Sequence, residues 1–448
     1  VAAQLFVGID MGSTKFSTTV ATVERDGTPR YVGHGSTQAG GIQAGELVDL
    51  VTFNQALRLV LDEARFLSGQ PVEDVVVSVA GAQLTSSLTT SQTPLVAGTP
   101  ISQRDVDRVV ASARQTELPG RRTVHRIVQG FSVDGEGVQN PIGRAGKVLE
   151  VWMRDYTVDE RLTSGIVSSA ASQGVRVHAL VPGGVAAAEA VLRPDERERG
   201  VILIDIGGAN TDVALFVGGN LYDLNGFHLG GRHISRDLAT ILELPLDVAE
   251  TLKQRCGVSS GHNSDLGVDW GPRGLATLRN QARAGTLSRE VPKVIAGARL
   301  EQILVQARRF IQESAPDIRF HAGVVLTGGS SRLPGIDQAA RQVLGLDVRC
   351  GDVLAGSGFP AVADPAASVS IGLVRYTATR GSARPHPRDV PPEDQLDQGR
   401  RIRTPSASQV RSRLWPRNPA PGSVVQPRQW SIVMRDWMRD FIPARGDI

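Results

Sequence analysis

Aromatic residues are scarce in this chain. Phe, Trp and Tyr make up 4% of 448 residues, so its cores are built from Val, Leu, Ala and Ile. Cysteine is nearly missing as well. Cys256 and Cys350 supply no disulfide framework, which excludes a disulfide-stapled secreted domain and suits a reducing cytoplasm. No apolar run reaches about 18 residues, so no helix is expected to span a bilayer. Net charge is low, +3 in total, and overall basicity gives no ground for nucleic-acid binding. The opening residues enter a strand almost at once, with no signal-peptide pattern. Val1 reads as an alternative start codon or a truncation. What remains is ordinary for a globular protein: 41% hydrophobic residues and a length of roughly three domain-sized units.

One stretch organises the rest. In VILIDIGGANTDVALF, residues 201–216, a buried-strand run ends in Asp205. Gly207, Gly208 and Ala209 follow, then Asn210 and Thr211, then a second apolar run. This pattern predicts strand, tight glycine turn, strand. Glycines at such a turn bare backbone N–H groups, and bared N–H groups bind anions. An acid beside a phosphate cradle repels phosphate unless a cation lies between them, so Asp205 points to Mg²⁺ held through water. The competing reading is a plain β-hairpin with a satisfied acid in its turn. A second copy argues against it. VGIDMGSTK, residues 7–15, repeats the grammar with Asp10, Gly12, Ser13 and Thr14, and returns through Phe16 to Val23. The copies close with Asp26-Gly27 and Gly218-Gly219, both hairpin signals. Two such hairpins imply a duplicated fold that grips one nucleotide from opposite sides.

The pair resembles the two phosphate motifs of the actin, sugar-kinase and heat-shock chaperone ATPase superfamily. GVVLTGGSSRLPG, residues 323–335, is similar to its adenosine motif, with Gly328, Gly329 and Ser330 passing close to a flat base. The resemblance implies an α/β, actin-like (ribonuclease H-like) duplicated core with mixed sheets, binding ATP and Mg²⁺. In that core Asp10 and Asp205 hold hydrated metal. Backbone groups of Gly12, Ser13, Thr14, Gly207 and Gly208 contact phosphates, with Asn210 and Thr211 beside them, and Lys15 adds charge.

Along the chain, residues 33–49 are Gly-rich and polar and read as a loop. A helix over 53–67 follows, with Thr52 and Gln55 as a capping box, then a buried strand at 74–81. Residues 84–160 do not fit the core. Alternating strands surround a helix from Gln103 to Ala113, capped by Ser102 and Asp105, which predicts a small α+β insert. With HRIVQGFSVDGEGVQNPIGRAGKVLEVWM inside it, this insert resembles the relocated subdomain of the FtsA family, bacterial cell-division proteins of the actin superfamily. A helix begins at a Thr157/Glu160 box and stops at Gly174; a strand (175–181) and an Ala-rich helix lead into the second phosphate motif. Beyond it, Gly230-Gly231 precede a helix read as starting near Ser235, and the resemblance places Gly231 on the phosphate side. In DVAETLKQRCG, Glu250 and Lys253 share one helix face, which the superfamily uses to reach ribose and base; the plain alternative is a solvated ion pair. Residues 258–292 read as a polar excursion before a long helix, 294–315.

The expected division is therefore as follows: a first core half, 1–83, with part of 355–380; the insert, 84–160; the second core half, 161–230; an outer lobe, 231–318; and the adenosine motif with the last core helix, 319–380. Residues 381–428, rich in Pro, Arg, Ser, Gln and Asp, read as a disordered linker. At 429–443, Trp430, Val433, Met434, Trp437 and Phe441 recur at helical spacing with Arg and Asp between them. This predicts an amphipathic helix for a membrane interface, or else for a partner or the core. Burying three rings is worth roughly 1.5–3 kcal/mol each before ordering costs, so one helix binds weakly and an array firmly.

Membership of the FtsA family implies an ATP-binding, filament-forming protein that anchors FtsZ polymers to the cytoplasmic membrane at the division site. Its outer lobe would dock the FtsZ C-terminal peptide, and other division proteins would join it. Two departures concern the second loop: Ala209 stands at its third glycine position and Asn210 at its first threonine, which leaves fast hydrolysis in doubt and the catalytic group unidentified. Rival readings are a PilM-like pilus-assembly protein, a small-molecule kinase of the same fold and a chaperone ATPase. No substrate-side carboxylate motif supports the kinase, the Trp-rich tail argues against the pilus reading, and no β-rich domain follows the core as a chaperone requires.

Overall fold

The computed structural model describes residues 4–23, 29–115, 118–138, 140–258, 271–356, 358–360, 362 and 364–379. The Asp26-Gly27 turn, the linker and the aromatic tail with Trp430, Val433, Met434, Trp437 and Phe441 lie outside them.

Two five-stranded sheets carry the core, and they repeat one strand order. In the first, Gln4–Met11 is central. On one side Lys15–Val23 and then Pro29–Gln38 pair antiparallel; on the other Asp74–Val79 and Arg176–Pro182 pair parallel. In the second, Val201–Ile206 is central, with Thr211–Val217 and Asn220–Phe227 antiparallel on one side. Val324–Thr327 and Val348–Cys350 are parallel on the other. Runs of Val and Ile suit strands covered on both faces, and every residue of Val201–Ile206 is buried. The Gly218-Gly219 turn has φ of 58° and 84°, the left-handed pair that a two-residue hairpin needs.

Two helices, Gly183–Val191 and Ser368–Thr379, cross between the sheets. Their backbones nearly touch: a Cβ on Gly372 would lie 1.8 Å from the Ala186 carbonyl oxygen. One apolar cluster runs through this crossing, joining Val76 and Val181 of the first sheet to Leu203 and Val325 of the second. It is largely aliphatic, as the scarcity of aromatics predicts.

In the chain, between the paired strands Asp74–Val79 and Arg176–Pro182, comes a separate antiparallel sheet, in the order Thr85–Pro94, Val148–Asp159, Arg121–Val133, Glu136–Val138. The helix Gln103–Arg114 covers one face, and the two enclose their own core around Val109, Leu149 and Met153. After the second hairpin sheet, helices Gly231–Leu242, Leu246–Cys256, Pro272–Arg283 and Glu290–Ser314 build a lobe whose core is continuous with that of the second sheet. Among the described residues no helix is long and apolar enough to cross a membrane.

Several local expectations are corrected. Residues 33–38 are the end of a third strand rather than a loop. Gly33 and Gly35 thin its apolar signal because the helix Leu50–Ser68 packs there: a Cβ at Gly33 would lie 2.9 Å from Leu67 and at Gly35 2.5 Å from Glu63. That helix starts earlier than Thr52 suggests. Asp49 is its cap, accepting from the Val51 N–H at 2.9 Å, while Thr52 lies in the first turn and donates its hydroxyl to Asp49. Thr157 belongs to a strand, and Asp159 caps the following helix by accepting from the Arg161 N–H at 2.8 Å. Ser235 is no cap; it sits inside Gly231–Leu242 and bonds back to the Gly231 carbonyl. The excursion at 258–292 contains the helix Pro272–Arg283. The Ser102/Asp105 box is present, with the Ser102 N–H donating to Asp105 at 3.0 Å.

Candidate functional site

Each central strand delivers an acid to its C-terminal end. In the first sheet the acid is Asp10. Ser78, from the neighbouring parallel strand, donates its hydroxyl to the Asp10 carboxylate at 2.7 Å and accepts the Met11 N–H at 3.1 Å. Burial pushes the Asp10 carboxyl up; the Ser78 bond and the Lys15 charge oppose this only in part. In the second sheet the acid is Asp205, which faces a further acid, Asp212, across the antiparallel pair. Burial, then the charges of Asp212 and Asp10, push Asp205 well above the carboxylate range. Asp212 is pushed up to about 7 by burial, with the Asp10 charge adding to it and the Gly81 and Gly184 N–H groups working against it. The charge of Asp10, from the first half, thus reaches both buried acids of the second.

Asp212 is also a seam between the halves. Its carboxylate accepts the Gly81 N–H of the first half at 3.0 Å. Gly81, Gly183 and Gly184 crowd it so closely that a Cβ on any of them would come within 3.4 Å of its side chain. Sequence reasoning missed Asp212. Its signal was an acid inside an apolar strand, directly after Thr211.

The glycine loops meet above these acids. In the second loop the Gly207 N–H donates to the Asn210 carbonyl at 3.0 Å, closing the tight turn. A Cβ on Gly208 would sit 2.2 Å from the Thr14 hydroxyl, so the two hairpin tips are in contact. Gly12 is equally constrained, by the Lys15 carbonyl at 2.8 Å. The adenosine motif joins from the side. Gly328 has φ +83° and packs on Asp205, where a Cβ would lie 2.1 Å from the carboxylate. Ser330 donates to the Gly207 carbonyl at 3.3 Å and lies against Gly231. Beside Gly329 the space is open, with Ala366 the one atom neighbour at 3.8 Å. Lys253 is buried; it donates to the Gly231 carbonyl at 3.1 Å and to Glu250 at 2.8 Å, and Glu250 accepts from Ser235 as well. Burial raises the Glu250 carboxyl, but Lys253, Ser235 and Gln254 together take it below the usual range. Lys253 is thus packed against the loops, while its partner Glu250 stays partly open to solvent.

Asn210 and Thr211 are turned to other work. The Thr211 hydroxyl is buried and donates to the Leu229 carbonyl at 2.8 Å, and the Asn210 side-chain oxygen lies 3.1 Å from the His228 ring. Both side chains thus tie the loop to the segment that leads into Gly230-Gly231. Ala209 fits its glycine position, because among the described non-glycine residues positive φ occurs only at Ala44, Asp134 and Glu243.

A sheet of one topology built twice, with paired acid–glycine hairpins facing each other beneath a crossing of two helices, is the actin-like fold. The comparisons with known proteins narrow this. Residues 202–372 match the family model described as "Cell division protein FtsA", and residues 81–159 match that described as "SHS2 domain inserted in FTSA". The chain is 30% identical to the cell division protein FtsA of Rhizobium meliloti over 394 residues, which are 82% of this chain and 86% of that one. With the FtsA of Escherichia coli K12 it shares 27% over 381 residues, 83% of this chain and 90% of that. This chain belongs to the FtsA family of cell-division proteins. Among solved structures, a PilM-PilN type IV pilus biogenesis complex aligns with TM-score 0.52 and 17% identity over 84% of this chain and 98% of that one, a likeness of fold.

Proposed function

We propose that this protein is an ATP-dependent, filament-forming anchor of the division machinery, tying FtsZ polymers to the cytoplasmic face of the cell membrane. The observation that carries this reading is the meeting of three glycine motifs from two halves around Asp10 and Asp205, in a chain of the FtsA family. ATP would lie between the halves, with Gly12, Ser13, Thr14, Lys15, Gly207, Gly208 and Asn210 on its phosphates through backbone groups and charge. Gly231 would close the phosphate side, Glu250, Lys253, Gly328, Gly329 and Ser330 would serve ribose and base, and Thr211 would brace the second loop.

The donor set suits magnesium. Asp10, Asp205 and Asp212 all have raised pKa values, and a divalent cation favours their charged forms. Among the described residues no three His, Cys, Asp or Glu side chains converge to ligate a metal directly, so Asp10 and Asp205 would hold it through its water shell. When bound, the ion neutralises phosphate charge. The residues act by position: Ser78 orients Asp10, Gly81 orients Asp212, and the loops fix the angle between the halves. Nucleotide would set that angle, and the angle would set filament geometry. Slow hydrolysis at most is expected. The outer lobe with the helix Glu290–Ser314 would receive the FtsZ tail.

The membrane arm is tested by sedimentation with vesicles containing anionic lipid, comparing the full chain with one ending at Arg428. Pelleting lost only in the short form supports the anchor; equal pelleting removes it. Calorimetry with ATP and Mg²⁺ tests the cleft, and no heat at millimolar nucleotide would overturn the nucleotide reading.

A further inference from the structure

We infer that Arg232 is the residue through which the cleft tells a triphosphate from a diphosphate. This rests on the nucleotide reading above. Arg232 is the second residue of the helix Gly231–Leu242, and its backbone N–H donates to the Gly208 carbonyl at 2.7 Å. Its side chain then crosses to the other half, where the guanidinium donates to the Ser13 carbonyl at 3.2 Å. It lies along the seam of the two hairpin tips: the Cβ position of Gly208 that meets Thr14 at 2.2 Å is 3.6 Å from Arg232 Cδ.

The order of contacts gives this seam a direction. Ser330 of the adenosine motif touches Gly207, and the next residue, Gly208, touches Thr14. Base and ribose belong at the Ser330 end, so the end of the phosphate chain belongs at the Gly208–Thr14 end, where Arg232 reaches. A guanidinium offers five donors in a fixed fork, and a neutral carbonyl at 3.2 Å makes poor use of it. A phosphate oxygen makes a shorter, charge-assisted bond. A terminal phosphate would draw Arg232 off the Ser13 carbonyl and part the tips, so the third phosphate changes how the halves are tied while a diphosphate leaves the tie in place.

The test is calorimetric binding of ADP and of a non-hydrolysable ATP analogue, each with Mg²⁺, to the full chain and to Arg232→Ala and Arg232→Lys. Thermal melting of each variant checks its fold. Arg232→Ala is expected to weaken the triphosphate about tenfold or more and the diphosphate less than about threefold, with Arg232→Lys recovering part of the loss. Equal weakening of both ligands, or a drop in melting temperature with the affinity ratio unchanged, overturns the inference and makes Arg232 a general charge or a bolt. Were the unaltered chain to bind neither ligand, the nucleotide reading itself would fail and this inference with it. Normal binding by all three proteins would sink the inference alone.

Discussion

Asp10 and Asp205 occupy the same place in two copies of one sheet, yet they are not held alike. Asp10 has a hydroxyl from Ser78 bonded to it and the charge of Lys15 nearby. Asp205 faces Asp212, and what acts on it is burial and two like charges. Duplication has preserved the backbone, because strand order and glycine turns are needed in both halves to bring their tips together. The side chains around the acids have diverged. In consequence the second half carries the larger electrostatic cost, and a bound cation would relieve it most. The halves also differ in what they have gained. Along the chain, the first received a sheet between two of its parallel strands, and the second a helical lobe after its hairpin strands.

The largest effect is expected where the two halves are held in common. Gly372→Ala places a methyl against the Ala186 carbonyl at the helix crossing, with backbone on both sides and no flexible side chain to yield. A loss of about 3 kcal/mol, or more, in urea unfolding is expected. A loss of a few tenths would mean that the loops, and not the crossing, join the halves.

Next comes the second half's acid pair. Asp212, pushed up to about 7 in the folded protein, lies above the ordinary carboxylate value of 3.8. Its contribution to stability is therefore fully present below about pH 4 and is lost as pH rises through 7. Nucleotide-free protein should weaken over that window, and Asp212→Asn should flatten the slope by up to about 1.4 kcal/mol per pH unit. Asp205 and Asp10, also raised, leave a residual slope of the same sign. Urea midpoints measured from pH 5 to pH 8 decide it, and an unchanged slope in Asp212→Asn would break the contrast between the halves.

The smallest effect makes the first half resemble the second. Ser78→Ala removes the hydroxyl bond to the Asp10 carboxylate and should cost about 1 kcal/mol while raising the Asp10 pKa further. Carboxyl titration by NMR would show the rise; an unmoved Asp10 would mean that burial and the Lys15 charge set it without the hydroxyl.

The acid–glycine hairpins and the adenosine motif were legible because each is a short pattern whose chemistry is local. A strand must be apolar, a tight turn needs glycine, and an acid at the turn stands out. By the same logic the Ser102/Asp105 cap was readable, since both partners lie within one turn of helix. The third strand was not, because Gly33 and Gly35 are shaped by Leu67 and Glu63 of a helix that comes later. Nor were the caps at Asp49 and Asp159, where a nearby threonine gave the stronger pattern and the strand or helix limit decided otherwise.

By itself, then, the sequence determined the paired hairpin strands of a duplicated core and which residues line their turns, for these follow from backbone geometry within a few residues. Tertiary structure alone decided that Asp212 matters, by bringing to it the N–H of Gly81, 131 residues away, and that Arg232 spans the cleft to Ser13. It also gave Thr211 and Asn210 their partners at Leu229 and His228. The physical reason is common to all three. A carboxylate's proton affinity and a polar side chain's partner are set by what surrounds them in space, and in this chain those surroundings come from the opposite half or from a neighbouring strand.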